Sequence, residues 1–237
     1  MTKKTLMLPA IAGLFLTILF ISCKKNNTVT STPAAKLMAF NLAPDQSAVA
    51  FSVSGNALTS LPLAYDNYTG SYVNVLPGSH DITAYDQNSS TQLATVSQSL
   101  TDSAYYSVFL VGASGSYKNV VAQDNFDSLS DSSGQAYVRY INAIVDSTGQ
   151  PGITVTSGGN NLFDSTAAFA TVTNFKGVAP GDVSVTINTE SATPLANRTF
   201  SVEQGKIYTI LLVGEPAATD TSKAVQIKYI TNGQLTP

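Results

Sequence analysis

The sequence predicts an all-β protein built from two tandem immunoglobulin-like β-sandwich domains. Three observations lead to this prediction. Short motifs recur about 102 residues apart along the chain. Apolar residues alternate with small or polar ones in short runs, which is the period of a β-strand. After residue 23, no segment has the apolar spacing of an amphipathic helix of ten residues or more. The 237 residues, 43% of them hydrophobic, suffice for two domains of ordinary size.

The internal repeat defines the two domains. Three pairs of motifs match in the same order, at offsets of 102, 103 and 101 residues: Tyr106–Gly112 with Tyr208–Gly214, Val75–Gly78 with Val178–Gly181, and Phe40–Asn41 with Ile141–Asn142. A constant offset at three separate places indicates a duplicated domain. The copies are predicted at residues 37–122 and 136–232.

Each copy contains the signals of about seven short strands. In the first copy Val49, Phe51 and Val53 alternate with small residues. Segments 105–111 and 207–213 are apolar on both faces, as in a central strand. The Pro-Gly pairs at 77–78 and 180–181 suit the middle of a type II turn, because Pro presets φ and Gly accepts a positive φ. Many short strands in under 100 residues favour a sandwich, here without the Cys and Trp hallmarks of immunoglobulin domains.

A polar linker, residues 123–135, separates the copies. Because it is short, we expect it to hold the copies as neighbours on one line. Its acids Asp124, Asp127 and Asp131 offer oxygen ligands of the kind that Ca²⁺ prefers, although the Gly and Glu of an EF-hand are missing. The alternative is an ordinary solvated linker.

The N-terminus has the form of a signal peptide. Lys3 and Lys4 precede an apolar run that is too short for a membrane-spanning helix, so residues 1–22 are predicted to be removed. The sequence ending at Cys23, the single cysteine of the chain, resembles the lipobox of bacterial lipoproteins, which implies that Cys23 is lipidated and becomes the new N-terminus. Residues 23–36 then form a flexible tether. The alternative is a cysteine that falls in an ordinary signal sequence by chance.

Composition excludes several classes of function. With one His, and with Cys23 acylated, the chain has no imidazole or thiol cluster for zinc or for a Ser-His-Asp triad. His80 is read as a partly exposed residue at the start of a strand. The processed chain would carry 10 basic and 15 acidic residues, a net charge of −5, which gives no reason to bind nucleic acid. We therefore expect no enzyme activity and no cofactor.

Tyrosines in the first copy are the candidate ligand contacts. Tyr65, Tyr68 and Tyr72 surround Asp66 and Asn67, and rings beside amides are common on sugar-binding surfaces. The second copy has Phe169 and Phe175 at the positions of Tyr65 and Tyr72, which indicates a packing role for those two. Tyr68 remains as the predicted glycan contact.

The strand at residues 136–143, the Pro-Gly turn and the closing strand at 208–214 resemble a bacterial family of unknown function, DUF4397, found in envelope lipoproteins and often in tandem. Asp124-Asn125 ahead of Arg139 is similar to that family's link between copies. In the first copy Leu37 or Met38 stands at the arginine position. The resemblance implies a fold and an envelope location but no catalytic residues.

The sequence as a whole thus predicts a non-enzymatic, lipid-anchored protein of the cell envelope, at the outer membrane, that acts as a binding or adhesion module for a glycan or a protein. Two alternatives stay open at this stage. One is a structural spacer within an envelope assembly, and the other, less favoured, is a glycan-active enzyme. Whether the domains face the periplasm or the cell surface is not encoded in a recognisable motif.

Overall fold

A computed structural model describes residues 32–130, 134–145 and 150–235, apart from the side chains of Asp164 and Ser165. The predicted signal peptide and Cys23 lie outside the described residues, and the predicted tether is described only from Thr32. From Pro33 onward the described chain forms one compact unit that contains both copies. Among its residues, no helix has the length and apolar character needed to cross a membrane.

Each copy is all-β and consists of two facing sheets. The strands of the first copy are β1 (Ala35–Asn41), β2 (Val49–Val53), β3 (Asn56–Ala57), β4 (Asn67–Tyr68), β5 (Val73–Val75), β6 (Gly78–Asp86), β7 (Thr91–Leu100), β8 (Tyr105–Ala113) and β9 (Ser116–Gln123). Those of the second copy are β10 (Ala136–Ile144), β11 (Gly152–Ser157), β12 (Asn160–Thr166), β13 (Lys176–Val178), β14 (Gly181–Asn188), β15 (Pro194–Val202), β16 (Lys206–Gly214) and β17 (Gln226–Gln234). A single 3-10 turn at Phe126–Ser128 lies in the described part of the linker.

The four described sheets fall into two outer and two inner ones. The outer sheets have the orders β3-β2-β6-β7 and β12-β11-β14-β15. The inner sheets have the orders β4-β1-β8-β9, with β5 also on β1, and β13-β10-β16-β17. In both inner sheets the first strand pairs in parallel with the penultimate one, β1 with β8 and β10 with β16. The sequence prediction did not include this parallel pair.

The inner strands are apolar on both faces because they pack against two different neighbours. On β1, Leu37 and Ala39 belong to the core of the first copy, whereas Met38 and Phe40 belong to a separate cluster. That cluster also contains Ile141 and other residues of the second copy. Alternate side chains of a strand point to opposite faces, so one inner strand serves its own core and the contact between copies.

The two copies therefore pack inner sheet against inner sheet. The shared cluster holds Met38, Phe40, Leu42, Phe109, Val111, Ile141, Ala143, Leu211, Val213 and Ile230, all buried. The expectation that the copies lie on one line is wrong, because burial of these facing apolar surfaces favours side-by-side packing. The linker joins β9 and β10, which belong to the two inner sheets that make this contact.

The repeat motifs have matching structural roles. Asn41 and Asn142, both fully buried, donate from their amide nitrogens to the carbonyls of Leu63 (3.1 Å) and Ala167 (2.9 Å) respectively. Gly78 and Gly181 have nearly equal positive φ values, 131° and 132°. Equivalent residues of the two copies thus have the same backbone conformation and hydrogen bonds, in agreement with the duplication that the sequence indicates.

Candidate functional site

A buried arginine lies at the junction of the copies. Strand alternation on β10 points Arg139 toward the first copy, where 1% of its surface is exposed. Its Nη1 lies 2.6 Å from Oδ1 of Asp124, the first residue after β9. Because this carboxylate neutralises the guanidinium, the pair enters the interior without net charge.

The pair belongs to a closed ring of hydrogen bonds between the two copies. Arg139 Nε donates to Thr209 (2.9 Å), and Thr209 donates to Asn232 (2.5 Å). Asn232 donates to the hydroxyl of Tyr72 (3.3 Å), which donates to Asp124 Oδ2 (2.6 Å). Each of these residues has at least one polar partner, and Asp124 Oδ1, which accepts no hydrogen bond, is in ion-pair contact with Arg139. These partners offset part of the cost of burying the polar groups.

Ser107, on the first copy, forms an additional bridge between Asp124 and Arg139. Ser107 donates to Asp124 Oδ2 (2.7 Å) and accepts from Arg139 Nη2 (3.0 Å). Ser107 on β8 and Thr209 on β16 are equivalent positions of the repeat. Arg139 thus lies between the two copies' versions of one hydroxyl side chain.

Aromatic rings cover this network. The ring of Phe175 lies 4.3 Å from the guanidinium carbon of Arg139, a cation–π contact. Phe126, in the 3-10 turn of the linker, contacts the rings of Tyr72, Tyr105 and Phe175. The linker is therefore fixed to both copies by ring packing.

Burial changes the acidity of Tyr72. Removal of its hydroxyl from water is the largest cause of a strongly raised pKa, and the nearby charge of Asp124 raises it further. The tyrosine consequently stays protonated and acts as the donor to Asp124.

Above Arg139 a polar cleft of about 500 Å³ opens between the linker and the second copy. It is lined by Ala122, Gln123, Asn125, Ser128, Leu129, Arg139, Val172, Thr173, Asn174 and Phe175. Thr173 ties its wall to β10, because its backbone N–H donates to the carbonyl of Tyr140 (3.0 Å) and its hydroxyl accepts from the N–H of Tyr140 (3.0 Å). We call this space the junction cleft.

The lining determines what the junction cleft can bind. The exposed carboxamides of Gln123, Asn125 and Asn174 can both donate and accept hydrogen bonds. Arg139, at the floor, donates two hydrogen bonds, to Thr209 and Ser107, and forms the ion pair with Asp124. Since Asp124 balances the charge of Arg139, this arrangement suits a neutral ligand rich in hydroxyl groups.

The structure gives the predicted calcium ligands separate surroundings. Asp124 is buried and bound to Arg139, Tyr72 and Ser107, whereas Asp127 is exposed. Asp131 lies outside the described residues. Within the described ranges, no three His, Cys, Asp or Glu side chains come together as a metal site. Asp124 thus has a structural partner that the sequence analysis did not assign to it.

The predicted sugar contact, Tyr68, packs rather than projects. It is half-buried, stacks on Phe40 at 5.3 Å between ring centroids, and adjoins the cluster between the copies. Tyr65 and Tyr72 pack against the same cluster, as expected from the phenylalanines that replace them in the second copy.

His80 takes part in a local contact. Its two ring nitrogens lie 3.0 Å from the hydroxyl of Ser54 and 2.8 Å from the carbonyl oxygen of Leu76. The side chain is half-buried, in keeping with a partly exposed residue near the start of β6.

The residues that line the junction cleft could not be recognised from the sequence. Asn125 and Asn174 are single amides in loops, and no motif marks them. The available signal was Arg139, a charge in the middle of an otherwise apolar strand, which must find a buried acid to be tolerated.

Comparison with known proteins identifies the repeated unit. The family model described as "Domain of unknown function (DUF4397)" matches residues 35–148 and 136–234. The chain belongs to the DUF4397 family. It carries two tandem copies of the domain, and the two matches share strand β10. No curated protein matches the sequence.

Two solved structures are similar to this chain at low sequence identity. One is the carbohydrate-binding module CBMbc, family CBM26, of Eubacterium rectale Amy13K in complex with maltoheptaose, with 12% identity, a TM-score of 0.25 and coverage of 86% of this chain and 98% of that one. The other is a Bacteroides uniformis protein whose description suggests cell adhesion, with 9% identity, a TM-score of 0.24 and coverage of 84% and 96%. At these scores neither likeness carries a functional argument.

Proposed function

We propose that this DUF4397 protein is a non-enzymatic binding protein of the cell envelope, anchored in the outer membrane by a lipid on Cys23. In this proposal its two immunoglobulin-like sandwiches form one body, and the junction cleft binds a neutral saccharide. Binding of a saccharide that is carried on the surface of another cell or matrix would make the protein an adhesion module.

The observation that carries the proposal is the junction cleft itself. Its volume of about 500 Å³ falls within the range of small-molecule sites, about 300–1,000 Å³. The ring of hydrogen bonds beneath it holds Arg139 in one position, so the floor of the site is formed before a ligand arrives. Preorganisation of this kind reduces the entropy lost on binding.

The chemistry of the lining favours a saccharide. Hydroxyl groups donate and accept hydrogen bonds, and so do the carboxamides of Gln123, Asn125 and Asn174. The Phe175 ring adds apolar surface to this polar lining. The charge of Arg139 in the lining is already paired with Asp124, so the cleft holds no unpaired cation among its lining residues to attract an anionic ligand.

The anchoring part of the proposal is supported by the sequence around Cys23. Attachment of several acyl chains gives stable membrane binding, because each buried methylene contributes about 0.8 kcal/mol. We expect a Cys23→Ala form to be lost from membrane pellets. Retention of this form at the parent level would overturn the anchor.

A glycan array tests the ligand. The full chain, probed beside the variants Asn125→Ala and Asn174→Ala, is expected to bind at least one neutral glycan, and each variant to bind it at least tenfold more weakly. The control is Gln92→Ala, which removes an exposed carboxamide from the outer sheet, away from the cleft. Binding that is equal in all four proteins would move the site elsewhere, and no binding by any would refute the saccharide.

A structural spacer is the second candidate, and one observation favours it. The shared apolar cluster and the buried polar ring join the two copies as firmly as a domain core, which suits a part that transmits force or sets a distance. If the protein is a spacer, the cleft variants should function in cells as the parent does. Variants that break the contact between the copies should then impair that function.

A further inference from the structure

A second cavity lies on the first copy, away from the junction. It is an apolar groove of about 230 Å³ at the open side of the sandwich, between β3 and β5. Its lining is Val53, Asn56, Ala57, Leu58, Val73, Asn74, Val75, Leu76 and His80. Leu76, at its mouth, is 65% exposed. We call this cavity the β3–β5 groove.

The second copy fills the corresponding region with its own side chains. Phe163, on β12, is buried in the core there and meets Tyr140 edge-on at 5.3 Å. Lys176 closes the opening, because its Nζ donates to the carbonyl of Leu162 (2.6 Å) and lies 4.6 Å from the centre of the Phe163 ring. The sandwich of the second copy is therefore sealed by an aromatic ring and the lysine that covers it.

Three replacements leave the first copy open. Following the strand pairings from the matching Pro-Gly turns, Asn56, opposite Val53, stands where the second copy has Phe163, opposite Val155. On the inner sheet, Val73 stands where the second copy has Lys176. His80 replaces the fully buried Val183. The edge strand is also shorter, two residues in β3 against seven in β12.

We propose that the β3–β5 groove receives an aromatic side chain from an extended segment of a partner protein. The second copy shows the kind of group that fits this place, a phenylalanine ring carried on an edge strand. The exposed amides of Asn56 and Asn74 border the groove and can bond to the backbone of such a segment.

The size of the groove favours a single side chain. At about 230 Å³ it lies below the usual range for drug-sized ligands, about 300–1,000 Å³. Transfer of one aromatic side chain from water into such a site is the kind of contact that dominates peptide-binding interfaces. This site is separate from the junction cleft, and its failure would leave the saccharide proposal untouched.

The test is an NMR titration of the ¹⁵N-labelled full chain. The probe is a seven-residue peptide with the sequence of Asn160–Thr166, and the matched probe has Ala in place of Phe163. We expect saturable shifts of backbone signals from Val53, Leu58 and Val75 with the first peptide, and at least tenfold weaker binding of the second. Asn56→Phe, which places a ring at the position where the second copy carries Phe163, is expected to abolish the shifts.

The control variant is Asn161→Phe, on the exposed edge strand of the second copy, which is expected to bind the peptide as the parent does. Equal binding of both peptides, shifts confined to the second copy, or undiminished binding by Asn56→Phe would overturn the proposal. Binding of free p-cresol without binding of the aromatic peptide would overturn the choice of a polypeptide partner.

Discussion

Arg139 and Asp124 connect the two copies through one buried ion pair. Each side chain is at most 1% exposed, so neither charge is compensated by water. The value of such a pair shows mainly when one member is removed, because the other is left buried and unpaired.

We therefore predict that Asp124→Ala lowers the free energy of unfolding by about 3–5 kcal/mol. The double variant Asp124→Leu/Arg139→Met, which places at 139 the residue found at the equivalent position 38, should lose much less than the two single losses together. Urea unfolding of Asp124→Leu, Arg139→Met and the double variant measures this, and the same experiment on Asp124→Ala measures the first loss. Additive losses would show that the two residues act independently.

Tyr72 and Tyr65 make stability depend on alkaline pH. Burial raises the pKa of each hydroxyl, and a neighbouring carboxylate, Asp124 or Asp66, adds to the rise. In the unfolded chain both ionise near the ordinary value of about 10. Their contribution is thus fully present below pH 10 and is lost as the pH rises above it.

The expected result is a fall in the free energy of unfolding between pH 9 and 11, with a smaller fall in Tyr72→Phe. Absorbance at 295 nm should show these hydroxyls ionising only as the protein unfolds. Titration of all tyrosines near pH 10 with unchanged stability would contradict the buried hydrogen bond.

For single residues, the sequence indicated which aromatic rings pack more readily than it indicated which polar side chains form hydrogen bonds. Phe169 and Phe175 at the positions of Tyr65 and Tyr72 indicated a packing role for these rings. In the structure Tyr65, Tyr72 and Phe169 pack against the shared cluster, and Phe175 packs on Arg139 and Phe126. The sequence did not reveal that the Tyr72 hydroxyl bonds to Asp124, because that contact joins residues 52 positions apart and depends on the final packing.

Near the ends of strands β8 and β16 lie two glycines that the repeat motif preserves, Gly112 as the last but one residue of β8 and Gly214 as the last residue of β16. Gly112 has φ 116° and Gly214 has φ 104°, and a Cβ at either would collide with backbone atoms of the following segment. Only glycine combines this φ with so close an approach. The motif Tyr-x-x-x-Leu-Val-Gly in both copies thus has a steric reason at its last position.

We predict that Gly112→Ala lowers the free energy of unfolding by about 2 kcal/mol or more, from strained backbone and steric overlap. Gly233→Ala is the matched control, since a Cβ there meets open space. Thermal unfolding of both variants checks the prediction. Equal melting temperatures would show that the strand end adjusts without cost.

At the level of elements, periodicity predicted strands but not their partners. Alternating residues and the Pro-Gly turns marked where strands run. The parallel pairs β1–β8 and β10–β16 join strands about 70 residues apart, and local sequence does not encode such distant pairing.

The whole molecule is one body because the inner sheets share an apolar cluster. A short linker alone is compatible with several arrangements, and the sequence analysis chose an end-to-end one. The observed arrangement depends on complementary surfaces of strands that are distant in sequence. Segments 105–111 and 207–213 are apolar on both faces, which indicated that both faces are buried but not what covers the second one.

Since the copies share this cluster, we predict a single cooperative unfolding transition for the chain. Phe109→Ala, at the contact between the copies, should cost about 3–5 kcal/mol and lower the whole transition. Calorimetry of the full chain measures it. Two separate peaks in the parent would show that the copies fold independently.

The central claim is that the junction cleft above Arg139 binds a neutral saccharide. Hydrogen–deuterium exchange of the full chain, with and without a glycan that binds on the array, tests it most directly. The expected result is slower exchange in residues 123–129 and 172–175 when the glycan is present. Unchanged exchange in both segments, with protection elsewhere, would contradict the assignment of the site.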